Sequence, residues 1–344
     1  MDVGRSAMLR EIKEQPQTLR ETIDSVAVQA ETVSQVFDAK RKKNRSSIFL
    51  IGCGTSYHAA IAGKHALRVC AGIPSVAYPA SEFRDFETRK TGDIIIAISQ
   101  SGETGDVLTA VGQALEDGCS VLAVTNEKKS TLVGLSENAI VTKAGKEIAV
   151  PMTKTYTALL AGIFSLAEAL RQNKAGASTL HRIPAVVEET IRTSEPKIKE
   201  LAEQLKENRS AFIVGRGPSY ATALEASLKL KEAALVHAEA FPSPEFRHGP
   251  KSMLEPGTSL IAFTNSDRSD DTTQRLLEDI RPTGATTISI GDKAGSTILI
   301  PPVARHLAPI PSIVPLQLLA AHIAAKKGIN PDNPRNLTKV TTET

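Results

Sequence analysis

The chain of 344 residues exceeds one typical domain, and two of about 150 residues each is the natural division. An apolar fraction of 41% supports ordinary globular cores, while a formal net charge of +3 gives no ground for a nucleic-acid or membrane partner. Cys53, Cys70 and Cys119 show neither a disulfide framework nor metal-ligand spacing, and no signal peptide or bilayer-spanning run is evident, so a cytoplasmic setting is expected.

Residues 1–45 read as polar helices with a partial apolar stripe of Met8, Leu9, Ile12, Leu19 and Ile23, and Pro16 is expected to start a second helix. The basic run Lys40-Arg41-Lys42-Lys43-Asn44-Arg45 lacks interleaved aromatics and reads as a solvated helix end. From Ser46 the pattern alternates between strands and helices. Strands are expected at 48–51, 75–78, 93–98, 120–125 and 139–141, with a helix from Thr153 to about Arg171. This alternation predicts an α/β fold with a doubly wound parallel sheet. The charged stretch 173–208 reads as a connecting helix outside the core.

The 93–98 run leads into Ser99-Gln100-Ser101-Gly102-Glu103-Thr104, after which Val107, Ala110, Val111 and Leu115 recur at helical spacing. Hydroxyls, an amide and the backbone N–H groups of a helix start suit a phosphate. An ordinary N-cap uses the same residue types.

A second strand, Ala211-Phe212-Ile213-Val214, runs into Gly215-Arg216-Gly217-Pro218-Ser219-Tyr220. It matches Phe49-Leu50-Ile51-Gly52-Cys53-Gly54-Thr55-Ser56-Tyr57, and two copies of one α/β domain is the economical explanation. Tyr57 and Tyr220 stand where the third glycine of a dinucleotide fingerprint would fall, which argues against an NAD site. After Leu260-Ile261-Ala262-Phe263 the second copy reads Thr264-Asn265-Ser266-Asp267, with Asp270 and Asp271 close behind. Carboxylates there would repel a phosphate, so the anionic end of a ligand is assigned to the first half.

Titratable residues concentrate in the second half. Lys229 and Glu232 share a helix face at i,i+3, and spacing alone favours a surface ion pair. The stretch 237–250 reads as one irregular loop carrying His237 and His248, with His248 stiffened by Gly249-Pro250.

Cys53-Gly54-Thr55-Ser56-Tyr57-His58, the Ser99–Thr104 hexapeptide, Leu228-Lys229-Leu230-Lys231-Glu232, His237-Ala238-Glu239-Ala240, Arg247-His248-Gly249-Pro250 and Pro334-Arg335-Asn336-Leu337-Thr338-Lys339 occur in one order. Together they resemble the sugar isomerase (SIS) family, in particular the isomerase half of glucosamine-6-phosphate synthase and stand-alone deaminases of that family. The resemblance implies tandem flavodoxin-like αβα domains: N-terminal helices 1–45, a phosphosugar-binding domain 46–172, a connecting helix 173–208, a second domain 209–328 and an active-site tail 329–344. It also implies that Ser99, Gln100, Ser101 and Thr104 bind phosphate, and that Cys53, Gly54, Thr55, Ser56, Val150 and Met152 line the sugar. Glu232 would move a proton between carbons 1 and 2, supported by Lys229. His248, from a neighbouring subunit of a homodimer, would open the ring, and Lys339 would contact the open-chain substrate. Lysines and hydroxyls suffice for the developing oxyanion, so neither metal nor cofactor is expected.

Two departures from the synthase pattern stand out. Met152 replaces a serine that contacts the sugar, and no cysteine precedes Cys53 to serve a glutaminase. The expected activity is therefore breakdown of glucosamine 6-phosphate to fructose 6-phosphate and ammonia. The alternatives are another phosphosugar isomerase, a fructosamine-phosphate deglycase, an isomerase subunit served by a separate glutaminase, and a non-catalytic sugar-phosphate sensor.

Overall fold

The computed structural model describes residues 6–44, 46–171, 179–208, 210–265 and 271–341. A long helix, α1 (Ala7–Asn44), opens the chain, and Pro16 lies inside it instead of starting a second helix. Proline lacks the N–H that would reach the Ile12 carbonyl. The Gln15 side-chain amide donates to that carbonyl at 3.1 Å, replacing the lost bond.

The first sheet is built from β1 (Ile48–Gly52), β2 (Val76–Pro79), β3 (Ile94–Ile98), β4 (Ser120–Thr125) and β5 (Asn138–Val141). Its helices are α2 (Thr55–Ala71), α3 (Ala80–Phe86), α4 (Gly105–Glu116), α5 (Thr131–Leu135) and α6 (Lys154–Ala169). The strands are parallel in the order β2-β1-β3-β4-β5. β1 and β3 are buried along their whole length, as continuous apolar runs in a covered parallel sheet should be.

The second half begins with α7 (Ile183–Leu205), followed by β6 (Ser210–Gly215), α8 (Pro218–Ala234), β7 (His237–Pro242), β8 (Thr258–Thr264), α9 (Asp271–Ile280), β9 (Thr286–Gly291), β10 (Ile298–Leu299) and α10 (Pro309–Lys326). Its strand order, β10-β9-β8-β6-β7, repeats that of the first sheet with each strand in the equivalent place. Two expectations fail here. α7 is core, since it buries Ile183, Val187, Ile198 and Ala202 and packs on α10. Residues 237–242 form an edge strand paired with β6, where His237 and Glu239 face solvent and Ala238 is buried. Ser266, Asp267 and Asp270 of the expected acidic turn lie outside the described residues, and Asp271 begins α9.

The chain separates into two compact units. The amino-half unit comprises Gln17–Glu147, Lys154–His181 and Thr338–Thr344; the carboxy-half unit comprises Met1–Pro16, Ile148–Thr153 and Arg182–Leu337. The latter is tied internally through Asp332, whose carboxylate accepts from Ser6 Oγ, Ala7 N and Met8 N, each at 2.8 Å. An anion is thus seated on the first N–H groups of α1, where the helix dipole favours it. Among the described residues no helix is long and apolar enough to cross a membrane.

Candidate active site

In the amino-half unit, β1 and β3 are neighbours in register, Ile51 opposite Ala97. The turns that follow them, at Gly52 and at Ser99, therefore leave the sheet at the same carboxyl edge. Strand order reverses at this point, which is where open α/β sheets bind ligands. The first turn depends on glycine. A Cβ on Gly52 would lie 2.7 Å from the Ser56 carbonyl carbon, and Gly54 has φ 51°. The equivalent Gly217 has φ 54°. Thr55 and Ser56 are buried at the start of α2. Burial, and secondarily the Asp106 carboxylate, pushes the Cys53 thiol up to about 11, so it is not a thiolate nucleophile at neutral pH.

The second turn is held by its own hydroxyls. Ser99 Oγ accepts from Gly102 N at 3.1 Å and pairs with Thr104 Oγ1 at 3.0 Å; Ser101 Oγ accepts from Glu103 N at 3.2 Å. Thr104 occupies the N-cap of α4 but makes no side-chain cap bond to the helix. The hydroxyls thus organise the turn rather than cap the helix, and their remaining protons can meet an anion. Glu103, which sequence reasoning passed over, accepts from Thr131 N at 2.7 Å and Thr131 Oγ1 at 2.8 Å and anchors the turn from outside. Gly102 has φ 67°, and a Cβ there would lie 2.2 Å from Ser130 Oγ.

A cleft of about 780 Å³ in this unit is lined by Gln100, Ser101, Asn126, Glu147 and Lys339, among others. It brings two residues of the expected phosphate turn together with the tail lysine. Lys339 Nζ lies 3.2 Å from Glu147 Oε2, and the tail's Thr341 carbonyl accepts from Gly105 N at 3.2 Å. Glu147 is the functional candidate that motif reading missed. Its side chain has no exposed surface and also accepts from Thr155 Oγ1 at 2.5 Å. The only available signal was its place at the head of the 147–154 segment. Lys143 and Lys146 line the cleft, but so do Glu21, Glu103 and Glu127. Hydroxyls and a helix start, not surplus positive charge, are what this cleft offers an anion.

In the carboxy-half unit, α8 holds Lys229 and Glu232 in contact, Nζ to Oε2 at 2.5 Å. The surface ion pair that spacing suggested is not what forms: Lys229 has no exposed surface, and Glu232 retains 19%. A buried ammonium lies 3.4 Å from a second carboxylate as well, that of Glu225. Phe246, fully buried against Phe212 and Phe241 at ring-centroid distances of 5.4 and 5.6 Å, anchors the segment after β7. His248 follows it on the surface. Among the described residues no hydrogen bond or ion pair joins His248 to Glu232. Val150 and Met152 belong to this unit too, where Val150 N donates to the Asp332 carbonyl at 2.9 Å.

Comparison with known proteins places these features in a family. The chain is 37% identical over 97% of its length to a glutamine–fructose-6-phosphate aminotransferase (isomerizing) of Pyrococcus horikoshii. It is 39% identical, again over 97%, to that of Thermococcus kodakarensis. It spans only 57% and 58% of those relatives. Among solved structures, the C-terminal domain of glucosamine-fructose-6-phosphate aminotransferase from Francisella tularensis superposes with a TM-score of 0.86 at 29% identity, covering 96% of this chain and 98% of that one. Glucosamine-6-phosphate deaminase from Thermotoga maritima gives 0.81 at 27% identity, covering 98% and 99%. Residues 42–169 and 204–325 each match the SIS domain, and the chain belongs to the SIS domain family.

Proposed function

We propose that the protein converts glucosamine 6-phosphate to fructose 6-phosphate and ammonia. The observation that carries this reading is the cleft uniting Gln100 and Ser101 with Lys339. In it, Ser99, Gln100, Ser101 and Thr104 hold the phosphate, while Cys53, Gly54, Thr55, Ser56, Val150 and Met152 line the sugar. His248, contributed by the neighbouring subunit of a homodimer, opens the ring.

Glu232 takes the proton from carbon 2 of the open-chain aldehyde, giving an enolamine, and returns it to carbon 1. The product is an imine at carbon 2, which water hydrolyses to the ketone and ammonia. Lys229 holds Glu232 in place, and Lys339 faces the oxygen on carbon 1, where negative charge develops. Likeness to the Thermotoga maritima deaminase over 98% of this chain supports the breakdown direction.

The higher identity to aminotransferases supports a second reading, in which the same proton transfer runs toward glucosamine 6-phosphate with ammonia from a glutaminase. One assay separates them. Ammonia release from glucosamine 6-phosphate without glutamine supports the first. Net synthesis that requires glutamine and an added glutaminase supports the second, and inertness in both directions removes both.

A further inference from the structure

α8 carries Glu225, Lys229 and Glu232, and the chemistry proposed above uses only the last two. Glu225 and Lys229 have no exposed surface; Lys229 Nζ lies 3.4 Å from Glu225 Oε1 and 2.5 Å from Glu232 Oε2. We infer that Glu225 is a positioning residue, the fixed counter-charge that keeps Lys229 cationic and in place while the charge on Glu232 changes. The inference rests on reading Glu232 as the base.

The reason lies in what happens to charge during one turnover. With Glu232 ionised, Lys229 faces two carboxylates. When Glu232 accepts the carbon-bound proton it becomes neutral, and a lysine without exposed surface would lose one of its counter-charges. An uncompensated buried cation is costly. Glu225 takes no part in that transfer and stays ionised, so Lys229 has a partner in both halves of the cycle. Glu225 thereby keeps Nζ aimed at Glu232 and, as a like charge one lysine away, also favours the protonated form of Glu232.

Charged groups on the elements packed against α8 have partners of their own. On β7, His237 and Glu239 pair at 3.1 Å in solvent. β6 carries no ionisable side chain. From α10, Lys326 pairs with Glu203 at 2.9 Å and His322 lies 3.6 Å from Glu195; Lys327, just beyond it, donates to the Ala234 carbonyl at 3.2 Å.

The test compares Glu225→Gln, Glu225→Asp and Glu232→Gln for glucosamine 6-phosphate turnover across pH. Glu225→Gln should lose about tenfold or more in kcat with KM within about threefold, and the acid limb of kcat/KM should move to lower pH. Glu225→Asp, which keeps the charge, should recover most of the rate and the wild-type limb. A Glu225→Gln enzyme with wild-type kcat and limb, or an equal loss in Glu225→Asp, overturns the proposal. If Glu225→Gln does not fold, the double variant Glu225→Gln/Lys229→Met replaces the pair with neutral side chains. It should match Lys229→Met alone, and a further loss contradicts action through Lys229. Turnover that survives Glu232→Gln instead removes the underlying reading of the base.

Discussion

Lys339 Nζ lies 3.2 Å from Glu147 Oε2, a carboxylate with no exposed surface, and this pair fixes the C-terminal tail beside the cleft that holds Gln100 and Ser101. A long, partly exposed lysine loses considerable rotamer freedom when held this way. Glu147 offsets that loss with a charge already oriented by Thr155.

Replacing Glu147 with Gln removes the charge at nearly constant volume. If Lys339 acts at the substrate, turnover of glucosamine 6-phosphate falls by about 10- to 100-fold, the usual cost of a misplaced catalytic group. Faster hydrogen exchange at the Gly105 amide, bonded to the Thr341 carbonyl, reports the loosened tail directly.

Ser101→Ala removes a cleft hydroxyl whose oxygen accepts a single backbone bond, from Glu103 N. KM for the phosphosugar should rise by about tenfold while kcat stays within about twofold, because phosphate contacts are made equally in ground and transition states. Steady-state kinetics decides it: a fall in kcat at unchanged KM contradicts a phosphate role.

Gly102→Ala places a Cβ 2.2 Å from Ser130 Oγ at φ 67°. Both contact and backbone oppose the change, so a loss of about 2–4 kcal/mol is expected in chemical denaturation, with weakened phosphosugar binding in the folded fraction.

Asp332→Asn leaves two α1 N–H groups and the Ser6 hydroxyl facing an uncharged amide in place of a carboxylate. About 1–2 kcal/mol of stability should disappear, together with slow exchange at the Ala7 and Met8 amides.

Burial holds the His322 imidazole below its ordinary value of 6.5, with the Glu195 carboxylate opposing the shift and Lys199 and Lys13 assisting it. The unfolded chain then binds this proton at higher pH than the folded one. Stability owed to neutral His322 is complete above about pH 6.5 and is lost as pH falls from there through the lowered folded value. Urea unfolding of His322→Gln should show a flatter profile between about pH 7 and pH 5 than the parent.

Both sheets were readable because parallel strands buried on two faces are continuous apolar runs, as at 94–98 and 258–264. The failures came where a distant partner decided the outcome. Pro16 stays within α1 because the Gln15 amide replaces the missing donor to Ile12, and Gln15 is in turn held by Gln317 at 2.8 Å. α7 looked too charged for core, but its apolar residues fall on one face that α10 covers. His237 and Glu239 disguised an edge strand, where alternate residues face water. At the candidate site, the Ser99–Thr104 turn was legible from residue type and position. Lys229 was not, because spacing cannot tell a solvated pair from one enclosed with a second carboxylate. Glu147 and Asp332 were invisible for the same reason, since each acts on residues far along the chain.

The most direct test follows hydrogen itself. Glucosamine 6-phosphate is incubated with the protein in deuterated water, and ammonia and the label on carbon 1 of the product are measured together. Fructose 6-phosphate carrying deuterium at carbon 1, formed along with ammonia by the wild type and by neither signal in Glu232→Gln that still binds the sugar, is the predicted result. Undiminished ammonia and label from Glu232→Gln, or a wild type that binds the sugar and produces neither, would contradict it.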